Sequence, residues 1–128
     1  MAESEIVKAY LKRARDDLQA SREMIVSHFH LAAISRMYYS VFYALTALLL
    51  KKGIAVHTHK QLGIEFRRRL IKTEDIPMQY SAVLEELFQA RQTADYDAIP
   101  EISEDRVREL LQKADDFLKV IFEKTSYL

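Results

Sequence analysis

SRMYYSVFYALTALLLKKG, residues 35–53, decides how the chain folds. From Tyr38 to Leu50 it is apolar nearly all round. It ends in two lysines and a glycine, the charge and the residue that helix C-termini prefer. A surface helix carries a single apolar stripe. This pattern instead predicts a helix over about 31–52 that packs on several sides or against a second subunit. One arginine and three tyrosines interrupt it, so Arg36, Tyr38, Tyr39 and Tyr43 are either packing residues with polar tips or the rim of a site.

Working outward, helical spacing recurs and strand alternation does not. Ile6, Tyr10, Ala14 and Leu18 make an apolar stripe over about 4–24, opposite Lys12, Arg13, Arg15, Asp16 and Asp17, with Ser4 as its expected N-cap. Residues 25–30 read as a tight connection without glycine or proline. A loop at 54–59 leads to a short helix over about 60–71, and a further helix over 78–94 opens after Pro77. Ser103 is placed to cap a last helix over 104–123, whose Val107, Leu110, Ala114, Phe117, Leu118 and Ile121 form a clean stripe. Long helices with short connections predict an all-α, up-and-down four-helix bundle with one additional short helix, a single domain over 1–128.

The 128 residues hold no cysteine, which excludes disulfides, thiolate chemistry and sulfur-ligated metals and fits a cytoplasmic protein. The acidic, amphipathic start is unlike a signal peptide. The run Tyr38–Leu50 falls short of the roughly 20 residues of a membrane span, so a soluble protein is expected. Nineteen basic and nineteen acidic side chains cancel, but unevenly. Residues 57–72 carry Lys60, Arg67, Arg68, Arg69 and Lys72 against Glu65, whereas 74–105 carry nine acids against Arg91. The basic segment is either a solvated helix face or a surface for phosphates.

With glycine only at 53 and 63, no glycine-rich phosphate loop or serine elbow can be built. The histidines pair as His28/His30 and His57/His59 without a third ligand in register, so neither a metal nor a cofactor is expected. Polar groups on apolar helices are the informative feature. Arg36, Tyr39 and Tyr43 share one face of the second helix, and Arg91 lies four residues before Asp95, followed by Tyr96. Arg91–Asp95 is then either a core ion pair or part of a pocket in which an arginine grips a phosphate and tyrosines stack on a base. His59, the histidine nearest the basic helix, is the group able to trade protons near neutral pH. Lys60 adds a charge beside it.

Three stretches, AAISRMYYSVFYALTALLLKKG (32–53), HTHKQLGIEFRRRLIKT (57–73) and LFQARQTADYD (87–97), together resemble the HEPN family of small helical prokaryotic domains. The resemblance implies a homodimer with polar residues near a cleft between subunits, and association with toxin–antitoxin systems or a small nucleotidyltransferase. Ribonuclease members carry an arginine, then four to six intervening residues, then a histidine. Carried over, the arginine is Arg91, and Tyr96 stands where the histidine would be; no histidine follows His59. The pair Arg22 and His28 fits the spacing but lies at the end of the wrong helix. The expected function is therefore nucleotide or RNA binding by Arg36, Tyr39, Tyr43, Lys60 and Asp95, with a nucleotidyltransferase partner. One alternative is a metal-independent ribonuclease toxin using Arg91, Tyr96 and His59, and another is an interaction protein without ligand.

Overall fold

A computed structural model describes residues 2–126. Five α-helices follow one another: α1 (Glu3–Val26), α2 (His30–Lys51), α3 (His59–Phe66), α4 (Gln79–Tyr96) and α5 (Glu104–Thr125). α3 runs on into a π-helical turn, Arg67–Ile71. The expected bundle with a short inserted helix is the fold observed, and no strand occurs among the described residues.

α2 touches each of the other four helices, which explains its apolarity. Twelve of its residues are buried, among them Ala33, Ile34, Met37, Val41, Leu45 and Leu49. By length and composition this helix is long enough to cross a membrane, which the shorter run Tyr38–Leu50 did not reveal. Two-thirds of its most apolar window (67%) lies inside the bundle, so the apolar side chains are spent on the core.

Small residues let α1 and α2 approach closely. Ser40 Oγ donates to the Ala14 carbonyl (2.7 Å) and Ser21 Oγ to the Ala33 carbonyl (3.0 Å), each bond crossing between the helices in a buried setting. Ser40→Ala should cost about 1 kcal/mol, a typical hydrogen bond. Ser40→Leu should cost about 1–3 kcal/mol by overpacking the seam. Urea denaturation that ranked leucine as the milder change would refute this packing. On the opposite side, Glu86 of α4 accepts from Lys113 (2.7 Å) and Arg106 (3.2 Å) of α5. The Lys113 hydrogen bond is the main cause holding the Glu86 carboxyl below its ordinary pKa.

The element ends correct several expectations. α1 begins before Ser4, so that serine lies inside the first turn and Ala2 precedes the helix with no side-chain cap. The connection expected at 25–30 shrinks to three residues because His28 adopts φ 65°, a backbone conformation usually left to glycine. Gly53, with φ 83°, ends α2, and Ile54 N–H closes onto the Leu49 carbonyl at 2.9 Å. Ser103 caps α5 as expected, accepting from the Arg106 amide. Thr58 caps α3 by accepting from the Gln61 amide, which makes His59 the first helical residue. The π turn at 67–71 was not expected from spacing.

Candidate functional site

Where α2, α3 and α4 meet, a cleft of about 410 Å³ opens between Arg13, Tyr38, Tyr39, Tyr43, His59 and Arg91. The apolar periodicity that buries α2 puts Tyr38 almost wholly inside, yet its hydroxyl reaches the cleft. That oxygen lies 2.6 Å from His59 Nδ1. The His59 ring stacks flat on Phe88 of α4, with centroids 3.5 Å apart and planes 9° apart. Three helices thereby fix one imidazole: α3 carries it, α2 supplies the phenol and α4 the platform.

The electrostatics favour a neutral histidine. Burial is the main cause lowering the His59 pKa from 6.5; Arg91 and Arg67 push the same way, and Glu85 opposes them. Its place at a helix N-terminus is unfavourable to a positive charge as well. Tyr38 is raised well above the ordinary phenol value of 10.0, first by burial, with nearby Arg91 pulling the other way. At neutral pH the pair is thus imidazole and phenol. If Nδ1–H donates to the Tyr38 oxygen, Nε2 is left with a free lone pair.

Arg91 enters from α4. Its guanidinium carbon sits 5.6 Å from the Tyr38 ring centroid and 5.2 Å from that of Tyr39. Asp95 Oδ2 is 3.3 Å from Arg91 Nε, an ion pair without hydrogen-bond geometry. Ser35 Oγ donates to the same carboxylate oxygen at 3.5 Å. The Arg91 side chain is 17% exposed and that of Asp95 31%, so the pair lies at the rim of the bundle and not in its core.

The residues singled out in the sequence fall into three groups. His59, Arg91, Tyr39 and Tyr43 line the cleft. Asp95 stands behind Arg91, and Tyr96, 70% exposed, lies on the outer flank with its ring 5.8 Å from the Arg91 guanidinium. Arg36 and Lys60 are elsewhere. Arg36 pairs with Asp17 of α1 at 3.1 Å and lies 5.3 Å from the Tyr39 ring, while Lys60 lines a neighbouring depression. Sequence reasoning missed Arg13, whose guanidinium stacks on Tyr43 at 4.2 Å and has no carboxylate partner among the described residues. Its place among Lys12 and Arg15 looked like an ordinary solvated face. Tyr38 was visible as half of a tyrosine pair, but no pattern marks which tyrosine of such a pair meets a histidine. No group of three or more metal-ligating side chains converges among the described residues.

The HEPN domain family profile matches residues 7–125. The chain belongs to the HEPN family. A provisionally named toxin of Methanocaldococcus jannaschii, MJ0142, is 38% identical over 108 residues, covering 84% of this chain and 74% of that protein. A Thermotoga maritima protein of the group labelled UPF0332 is 30% identical over 116 residues, 91% of this chain and 88% of the relative. Among solved structures, TT1696 from Thermus thermophilus superposes with a TM-score of 0.78 over 92% of this chain and 97% of its own. At 21% identity that likeness speaks for the helical fold alone.

Proposed function

We propose that this HEPN protein is the RNA-cleaving component of a toxin–antitoxin pair, and that cleavage runs on protein side chains in the α2–α3–α4 cleft. The observation that carries the reading is the convergence of His59 and Arg91, from different helices, on Tyr38. The toxin name of the M. jannaschii relative supports the same direction.

In this reading the neutral His59 takes the proton of a ribose 2′-hydroxyl through Nε2, with Tyr38 holding the ring and its tautomer. The 2′-oxygen attacks the adjacent phosphorus, and Arg91 offsets the charge that builds on the phosphoryl oxygens. The 5′-oxygen leaves and takes a proton from water, which the open cleft admits. The products are a 2′,3′-cyclic phosphate and a 5′-hydroxyl. Tyr39 and Tyr43 offer ring faces to a base, and Arg13 adds a cation at the far wall. The histidine that the family's ribonuclease spacing would put at position 96 is then supplied by α3. On the same reading the protein works as a cytoplasmic homodimer held in check by an antitoxin, with a small nucleotidyltransferase as the candidate partner.

The test is cleavage of an end-labelled mixed RNA pool in EDTA by wild type beside Arg91→Ala. Wild type should cut and leave cyclic-phosphate ends, and Arg91→Ala should cut about 10²–10³-fold more slowly, as for loss of one preorganised donor. Its melting temperature should fall only modestly, by the roughly 1–2 kcal/mol that a partly exposed ion pair and its contacts with the Tyr38 and Tyr39 rings contribute. A large fall in melting temperature with no change in cleavage would make Arg91–Asp95 a structural pair.

One observation favours binding without cleavage: the exposed Tyr96 replaces the expected histidine. That reading predicts intact RNA in every lane, with salt-dependent binding that still requires Arg91.

A further inference from the structure

His59 is the wall between two depressions. Opposite the cleft, a shelf of about 280 Å³ lies between α3 and α4, lined by Lys60, Gly63, Ile64, Arg67, Ser81 and Glu85. Its cations differ from their neighbours. Arg68 and Arg69 both turn to Glu65, at 3.8 and 3.1 Å. Lys60 and Arg67 have no carboxylate within ion-pair distance among the described residues, although Glu85 borders the same shelf and accepts from Gln89 at 3.0 Å.

The floor is Gly63 covered by the Arg67 side chain. A Cβ there would lie 3.4 Å from a terminal nitrogen of Arg67, so the guanidinium is laid across the glycine, at the level of the shelf. Ile64 leaves an apolar side chain 44% exposed at the edge. From Arg67 onward the helix widens into its π turn, a feature found more often at functional sites than elsewhere. With His59 neutral, Lys60 and Arg67 against Glu85 leave the shelf one positive charge in excess.

We propose that this shelf is a second subsite, holding another phosphodiester of the same single-stranded RNA whose backbone occupies the cleft. Lys60 and Arg67 contact the phosphate oxygens, and Ile64 offers its edge to a base. The inference rests on the reading of the cleft as an RNA site, and it makes the protein a reader of a strand and not of a mononucleotide.

The probe is a short fluorescently labelled 2′-O-methyl oligonucleotide, which lacks the nucleophile and survives in the cleft. Its binding is followed by anisotropy across a salt series. The double variant Lys60→Ala/Arg67→Ala should bind several-fold more weakly, and its slope of log K against log salt should flatten by about 0.7 for each phosphate no longer neutralised. Glu85→Gln should shift binding the other way. Gly63→Leu, which displaces the Arg67 guanidinium from the shelf without removing its charge and adds a better helix former, should also weaken binding, and thermal melts confirm that each variant is folded. Unchanged affinity and slope in the double variant overturn the proposal, as does failure of wild type to bind. Natural RNA separates the two ideas. Cleavage lost in Arg91→Ala beside unaltered binding in the double variant leaves the cleft standing without the shelf. Binding weakened in the double variant of a protein that never cleaves leaves the shelf as an RNA-binding surface and removes the ribonuclease.

Discussion

With His59 replaced by alanine, RNA cleavage is expected to fall by about 10²–10⁴-fold, the usual worth of a positioned general base. The prediction follows from three features that serve one ring: the Tyr38 hydroxyl at Nδ1, the flat stack on Phe88, and the N-terminal position in α3. None of them is needed for a histidine that merely fills surface. The pH profile supplies a sharper test. His59 titrates below its ordinary 6.5, chiefly because burial penalises the imidazolium. A base is competent when unprotonated, so activity should be level around pH 7 and decline only as pH falls below 6.5. Stability shares this sign. The fold prefers the neutral ring, so that contribution is full above pH 6.5 and is lost as pH falls through the folded pKa. Tyr38→Phe keeps the ring and removes the orienting hydroxyl. It should lower the rate less than His59→Ala does and leave RNA binding unchanged. A wild-type profile that rises on acidification would assign His59 the role of acid and defeat the scheme.

The second large effect concerns the frame that brings α3 to α4. Phe117 of α5 is fully buried, 4.7 Å from the Tyr80 ring of α4 and 5.7 Å from Phe66 of α3. Phe117→Ala should cost about 3–5 kcal/mol, combining reduced burial with a cavity that helices on three sides cannot fully close. Against a total of about 5–15 kcal/mol this is a large share. The urea midpoint should fall accordingly. Phe117→Leu, closer in volume, should cost about 1.5 kcal/mol or less if neighbours repack. Because the same ring spaces α3 from α4, folded Phe117→Ala protein should also lose cleavage, although residue 117 does not line the cleft. Equal midpoints for wild type and Phe117→Ala would show that this ring does not hold the helices together.

Much of this architecture is written in local pattern. The apolar run of α2, the lysine–glycine stop at 51–53 and the stripe of α5 each state a helix and its buried face, because helical periodicity depends only on residues three and four apart. The pairing of Arg91 with Asp95 was legible for the same reason. The π turn was not, since its sequence RRRLI suits an α-helix equally well. Nor was the short α1–α2 turn, where His28 adopts a glycine-like φ.

Local pattern alone carried the all-helical bundle and the candidate arginine, left α2 either central or against a second subunit, and pointed to the HEPN family through three separated motifs. Only the tertiary structure decided what shares a site. His59 meets Tyr38 and Arg91, Arg36 is taken by Asp17, Lys60 falls on the far side of His59, and Arg13 joins from α1. The physical reason is that each helix's own period fixes which way a side chain leaves its axis. Which neighbour stands there depends on how five buried faces pack at once, and that is a property of no single stretch of the chain.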